Sequence, residues 1–357
     1  MERPLADQER EIKDVVRRAR NALDKSGNTR REAFKKLINL IHSPHPSLKI
    51  FAAGNIRYFF TDFPDLEETA INAVYDLCED QSSQVRMEGY TAITHISTAS
   101  NKWIKRNADV LLQLLQSDEP DEVVIVKKAL CEHLDMDPKV TLGVLCDQVI
   151  PPSGTVDEEE QAIRDRLRAL VIAFLTGEAK RAIVERHATP GSGAEEVLTR
   201  GLLEAIPRLP PSDVEIIIKD LLLSLPAYKH NSQAGTPLLR VLLNKASANL
   251  RLDLRAPKDV KLDNALPYIN LAKLIVLQHP VASPTELLRF YFISVASKIP
   301  LQKLAPETQL AAICELIEVL AACENDSTSQ GSQDLVSLRR QIVDACPYLL
   351  EVSFNCY

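Results

Sequence analysis

Apolar residues recur every three to four positions along nearly the whole chain, which gathers them on one face of an α-helix, while the strict alternation of a half-buried strand is hard to find. Breaks in this periodicity define helices near 8–25, 29–42, 46–61, 64–79, 83–98, 102–116, 121–135 and 138–149. In the second half they define helices near 157–187, 194–206, 211–225, 235–249, 264–279, 284–298, 306–324 and 333–346. Several starts carry a physical signal: Thr29 precedes Arg30, Ser47 follows Pro46, and Ser283 precedes Pro284, while Pro64, Pro138 and Pro306 suit a first turn that wastes no donor. The 21 prolines are spread along the chain, which favours many short helices over a few long ones. Longer interruptions fall at 189–196, at 251–263 and at 324–334, the last a flexible or disordered loop by composition. A boundary near Pro190 separates halves at 1–190 and 191–357.

The helices come in pairs with a period of about 40 residues, the mark of a solenoid. In the clearest unit, 64–97, Pro64 opens a helix with Leu66, Ala70, Ala73, Val74 and Leu77 on one face. An acidic turn at Glu79 and Asp80 follows, and Val85-Arg86 begins a second helix with Tyr90, Ile93 and Ile96 inside. A weaker copy precedes it, with Leu48-Lys49 in place of Val85-Arg86; another follows from Leu111 to Leu134, and Ile163-Arg164 is suited to open one more second helix. The unit resembles a HEAT repeat, and that resemblance implies that Asp80 and Arg86 link neighbouring repeats. The expected fold class is therefore all-α, a right-handed α-solenoid that buries a continuous core between stacked helix pairs.

Composition agrees with helix: aromatics are 5% and glycines only 11, too few for the turns and cross-strand pairs of an all-β fold. A net charge of −7 argues against general affinity for phosphate backbones, so any RNA contact is expected to be local. Charge is uneven, with a basic start and an acidic stretch from Asp62 to Glu160, which suits two unlike partners. The seven cysteines stand apart among apolar residues and read as buried thiols of a reducing compartment. No CxxC or HxxxH spacing supports a metal site, no run approaches the ~20 apolar residues of a membrane span, and no cofactor is expected. The chain also lacks a P-loop, GxSxG, HExxH or glycine-rich nucleotide turn, and His95 and His133 read as ordinary part-buried side chains, so an enzyme is not expected.

Three groups are candidates for binding. Arg17, Arg18, Arg20, Arg30, Arg31, Lys35 and Lys36 suit either an acidic protein tail or RNA phosphate, or else form the solvated face of the first helices. Glu158, Glu159 and Glu160 either meet a basic partner or favour the positive end of a helix. Leu111, Leu114 and Leu115 fit LxxLL, as do Leu239 to Leu243; the pattern either docks in an apolar groove or supplies repeat core.

Two stretches are more specific than the generic repeat: FFTDFPDLEETAINAVYDLCED at 59–80 and ADVLLQLLQSDEPDEVVIVKKALCEHLDMDPKVTLGVLCDQVI at 108–150. They resemble the apoptosis inhibitor 5 family over roughly 30–180. That resemblance implies a HEAT-like half joined to an armadillo-like half, in a nuclear scaffold without a catalytic centre. In animals the family is linked to suppression of apoptosis through the nuclear protein Acinus, to fibroblast growth factor 2, and to mRNA export through a DEAD-box helicase. The expected location is nuclear, with some cytoplasmic presence, and the expected state a monomer. No basic localisation tail or leucine-zipper-like segment is evident, so the chain reads as C-terminally truncated. The competing reading is a cytoplasmic HEAT-repeat scaffold for a transport or phosphatase complex.

Overall fold

The structure, a computed structural model, describes residues 4–152, 154, 157–229, 234–325 and 333–355, with side chains described up to Val352. Most of the polar stretch at 324–334, expected to be a flexible or disordered loop, lies outside the described residues. Contacts divide the chain into two compact units, one made of Met1–Val149, Gly154–Ile183 and Gly193–Leu198, the other of Ile150–Ser153, Val184–Ser192 and Thr199–Tyr357. The fold is all-α and of the α-solenoid class. Among the described residues the only extended pairing is an isolated bridge between Val260 and Leu304, and no helix is long and apolar enough to cross a membrane.

The first unit opens with α1 (Leu5–Arg20) and continues in pairs: α2 (Asn28–Leu40) with α3 (Pro46–Ile56), α4 (Glu67–Leu77) with α5 (Ser83–Ala99), α6 (Ile104–Leu114) with α7 (Pro120–Met136), and α8 (Pro138–Val149) with α9 (Glu158–Thr176). The residues that stand just before the four second helices are His45, Ser82, Glu119 and Asp157, at steps of 37, 37 and 38 residues. Equivalent positions therefore recur at this step, apolar in the first two repeats. Leu48 and Val85, each three residues past that point, are both fully buried. Second helix stacks on second helix, α3 on α5 and α5 on α7, while α6 stacks on α8. Each pair thus buries in its neighbour the apolar face it cannot bury alone.

Several sequence expectations need correcting here. Thr29 is not a cap, since α2 already begins at Asn28 behind Gly27 and no side chain caps it. Pro64 lies in the turn before α4, which begins at Glu67. Ile163 is 58% exposed in the middle of α9, so Ile163-Arg164 opens nothing. That helix starts at Glu158 because the Asp157 carboxylate accepts the Glu160 backbone N–H at 2.8 Å, satisfying one of the first-turn donors.

Beyond α9, α10 (Lys180–Ala182) runs into a π turn at Ile183–His187, and α11 (Gly193–Ala205) follows. The second unit then holds α12 (Pro211–Ile216), α13 (Gly235–Asp253), α14 (Leu266–Lys273), α15 (Thr285–Phe290), α16 (Lys298–Lys303), α17 (Pro306–Asn325) and α18 (Gln333–Asn355). Four segments expected as single helices pass into π turns, and the one expected at 157–187 is divided into α9, α10 and the π turn at Ile183–His187. α12 passes into a π turn at Ile217–Leu221, α14 into one at Leu274–Gln278, and α15 into one at Tyr291–Val295. The wider turn closes with bonds five residues apart, His279 N–H to Leu274 O and Ala296 N–H to Tyr291 O, both 2.8 Å. The interruption expected at 251–263 begins later, since α13 runs through Asp253. Asp253 then accepts from the backbone N–H of Ala265 at 3.0 Å and from the Asn264 side chain at 2.7 Å, which ties the loop back ahead of α14.

Candidate functional site

The polar side chains of the first unit divide into those consumed between repeats and those left outside. Lys49 of one repeat donates to Asp80 in the turn of the next, and Asp80 also accepts the Ser82 N–H at 2.8 Å. Arg86 donates to the backbone oxygen of Asp80 at 2.7 Å and, through Nε, to both carboxylate oxygens of Glu122 at 3.0 and 3.2 Å. Asp80 and Arg86 therefore both bridge repeats, but their charged partners are Lys49 and Glu122. Glu122 also accepts from Ser83 at 2.7 Å and from Tyr90 at 2.8 Å, and it is 1% exposed. Burial pushes its pKa up, but the donors Arg86, Ser83 and Tyr90 prevail and hold it down at about 2. It stands three residues past Glu119, the place Leu48 and Val85 fill in the preceding repeats. Counting 37 residues on from Val85 would have found it; an acid at an expected core position is the signal that was missed.

A second cross-repeat network lies inside. Tyr75 donates to Asn107 Oδ1 at 2.6 Å, Asn107 donates to Ser97 at 2.8 Å, and Ser97 lies 2.8 Å from His133 Nε2. His133 Nδ1 is 2.7 Å from the Ala129 carbonyl, which accepts only, so the proton is on Nδ1 and Nε2 accepts from Ser97. His133 is thus fully buried, unlike the part-buried residue expected, and burial lowers its basicity. Ser97 and His133 have no exposed surface, so the pair is sealed from any substrate.

The basic residues of the start do not form one surface. Arg30 is 6% exposed and donates to Asp62 at 2.9 Å, to Ala19 O at 3.1 Å and to Tyr58 O at 2.8 Å, so it is a buried clamp and not a partner-binding residue. Arg31 forms a two-pronged pair with Asp65, Lys35 pairs with Glu32 within α2, and Lys36 reaches Glu11 at 3.4 Å. Arg18 donates to the Asp14 backbone oxygen at 3.3 Å. Arg17, exposed and paired with Asp14 at 2.9 Å, and Arg20 stay together at the end of α1. With Lys13, Val16, Asn21, Phe51 and Asn55 they line a hollow of about 230 Å³. Arg57 and Tyr58, just past the end of α3, adjoin Arg20: the Arg20 guanidinium lies 3.8 Å from the Tyr58 ring centre. Sequence reasoning missed Arg57 and Tyr58, which stand nearly 40 residues further on among residues read as helix face.

The other candidates are separate from this group. Glu158, Glu159 and Glu160 are exposed in the first turn of α9, and Glu160 pairs with Arg164 of the same helix. Leu111 and Leu115 are buried and Leu114 is half-buried; Leu239, Leu242 and Leu243 are buried too, so neither LxxLL segment presents its leucines to a groove. Cys78 and Cys146 are buried, with thiols pushed up to about 12 by that burial, but Cys314 and Cys346 are exposed, contrary to the expectation of uniformly buried thiols. Cys356 lies outside the described residues.

A family model described as Apoptosis inhibitory protein 5 (API5) matches residues 13–347. Among curated proteins, Apoptosis inhibitor 5-B of Xenopus laevis is 34% identical over 175 residues, 46% of this chain and 32% of that protein. Apoptosis inhibitor 5 of Homo sapiens is 36% identical over 137 residues, 38% of this chain and 26% of that one. The Drosophila melanogaster homolog is 28% identical over 155 residues, 43% and 29% of the two chains. The chain thus spans about a third or less of the length of these relatives. A crystal structure of an engineered protein covers 93% of this chain and 98% of its own at 15% identity, with a TM-score of 0.29, too slight a likeness to bear on the argument.

Proposed function

The chain belongs to the apoptosis inhibitory protein 5 family, and from that premise we propose that it is a non-enzymatic nuclear scaffold for protein partners in mRNA processing and export. The partners proposed are a DEAD-box RNA helicase or an Acinus-like nuclear factor, with suppression of apoptosis a consequence of that binding. The observation that carries this reading is the family match across 13–347 on an all-helical repeat fold. Supporting it, Glu122, Asn107, Ser97 and His133, among the most buried polar groups, are spent on holding repeats together. Such a fold offers long helical faces, which suit binding more than chemistry. The HEAT-like and armadillo-like halves at 1–190 and 191–357, and the monomeric state, are part of the same proposal.

The test is affinity capture from nuclear extract with the full chain as bait, followed by an ATPase assay of a purified DEAD-box export helicase with RNA. Capture of the helicase and a changed RNA-stimulated rate are expected. Exclusive capture of cytoplasmic transport or phosphatase subunits would sink the nuclear reading.

A further inference from the structure

The arginines that bridge repeats find carboxylates: Arg30 has Asp62, Arg31 has Asp65, Arg86 has Glu122, Arg106 has Glu68 and Arg166 has Asp118. Arg20 and Arg57 differ. Among the described residues neither has a carboxylate within ion-pairing distance, and both are drawn to one aromatic ring. Their guanidinium carbons lie 3.8 and 4.8 Å from the centre of Tyr58, so they stand no more than about 9 Å apart. A carboxylate that accepts from two guanidiniums keeps its carbon roughly 4 Å from each guanidinium carbon, given N–O distances of about 2.8 Å. That upper limit is close to the roughly 8 Å that one carboxylate spans between two such carbons.

The pair is held in place from behind. Buried Arg30 donates to the backbone oxygens of Ala19 and Tyr58, which fixes the end of α1 against the end of α3. Arg57 donates to the Tyr58 hydroxyl at 2.8 Å and faces His95 Nε2 at 2.9 Å. A guanidinium only donates, so His95 accepts through Nε2 and carries its proton on Nδ1, which is buried without an acceptor. The cluster is thus rich in donors. Glu88 is the acid that acts on Arg57 over a longer range, and burial raises its pKa. Beside Arg20 opens the 230 Å³ hollow, lined by apolar Val16 and Phe51 together with Lys13, Arg17, Asn21 and Asn55; Glu9 and Asp14 partly offset Lys13 and Arg17.

We propose that Arg20, Arg57 and Tyr58 form a docking site for an acidic peptide segment of a protein partner, one carboxylate bridging the two guanidiniums and a neighbouring apolar side chain entering the hollow against Val16 and Phe51. Charge complementarity selects a carboxylate, and the small hollow, with Val16 and Phe51 among its lining residues, takes a side chain better than a nucleic-acid backbone. A polyanion would also meet repulsion from a chain of net charge −7. The proposal deepens the scaffold reading and rests on it.

The test is fluorescence anisotropy of the full chain with a labelled six-residue peptide of alternating Glu and Leu, its Gln-for-Glu counterpart, and a ten-nucleotide polyuridine RNA. The Glu peptide is expected to bind and the other two to bind at least about 10-fold more weakly, the size of a lost charge-assisted contact. Arg20→Ala/Arg57→Ala is expected to lose at least that factor, while Arg164→Ala keeps the wild-type affinity. Should the double alanine variant lose its helical circular dichroism, Arg20→Lys/Arg57→Lys keeps charge but not the planar fork, and intermediate binding is expected. Wild-type affinity in either double variant, equal binding of the Gln peptide, or tighter binding of RNA overturns the site. If nuclear partners are captured equally by wild-type and double-variant chains, this site falls and the scaffold reading stands. If the Glu peptide behaves as stated and no nuclear partner is captured, the reverse holds.

Discussion

Beside exposed pairs such as Arg106–Glu68 and Arg166–Asp118, the first unit joins helices through nearly buried acids, and the described pairs of the second lie nearer water. In the first, the acids Asp62, Asp80 and Glu122 that meet Arg30, Lys49 and Arg86 have side chains only 10, 12 and 2% exposed. In the second, Arg240 meets Glu286 through Nε at 3.0 and 3.2 Å, nearly the Arg86–Glu122 geometry, but the two side chains are 64 and 32% exposed. Further long-range pairs among its described residues, such as Lys273 with Glu315 and Arg289 with Asp334, span 42 and 45 residues and are more exposed than Glu122. The first unit also keeps regular α-helices through its paired repeats, while three helices of the second pass into π turns. The lesson is that pair geometry does not set energetic weight. A buried acid must keep its donors because water cannot replace them, whereas an exposed pair is solvated when broken.

The most severe disturbance of this contrast is Glu122→Ala. It leaves Arg86, Tyr90 and Ser83 facing a void, and a loss of about 3 kcal/mol in unfolding free energy is expected from urea denaturation followed by circular dichroism. Glu122→Leu restores the residue type of Leu48 and should recover part of that loss. The same residue sets an acid limit. A carboxyl at about 2 when folded and near 4.5 when unfolded stabilises fully above pH 4.5 and loses its contribution as pH falls from 4.5 towards 2. Buried neutral His133 adds to the decline from a higher pH: its basicity is lowered, so below about pH 6.5 the unfolded chain takes up a proton that the folded one refuses. Thermal midpoints measured from pH 7 to pH 3 should therefore fall in wild type and fall less steeply below pH 4.5 in Glu122→Ala; parallel curves would refute the assignment.

Next in size is a steric comparison. A Cβ on Gly235 would overlap the Val281 carbonyl oxygen, so Gly235→Ala must move backbone and is expected to cost about 2 kcal/mol. Gly143, inside α8, has only Val197 Cγ1 at 3.7 Å, and Gly143→Ala should stabilise by about 0.5–1 kcal/mol through helix propensity. Differential scanning calorimetry of both variants reads the two signs. The smallest effect is reserved for Arg240→Ala: its pair is solvated, so the unfolding midpoint should move within experimental error. A shift matching that of Glu122→Ala would show that geometry outweighs burial after all.

Local pattern went far in this chain. The helices expected at 83–98, 121–135 and 138–149 stand at Ser83–Ala99, Pro120–Met136 and Pro138–Val149, because apolar spacing and proline starts are properties of neighbouring residues. The family too was legible, since its signature stretches at 59–80 and 108–150 are contiguous. Side-chain partnerships were less so. Arg30 read as a surface cation because nothing next to it in sequence announces Asp62, Ala19 and Tyr58 as partners. The π turns of the second unit replace α turns in segments such as LIVLQ and YFISV, whose residues serve equally in either.

What the sequence by itself determined was the helical class, the two-helix period and the family, all encoded in residues a few positions apart. The tertiary structure alone decided which charges are spent and which remain. Arg30, Arg31 and Arg20 lie within a dozen residues of one another, yet stacking the repeats buries the first, pairs the second and leaves the third beside Arg57 over a tyrosine ring. The physical reason is that a cation's fate depends on the acids and the water within a few ångströms of it, and in a repeat fold those neighbours come from the next helix pair, nearly 40 residues away.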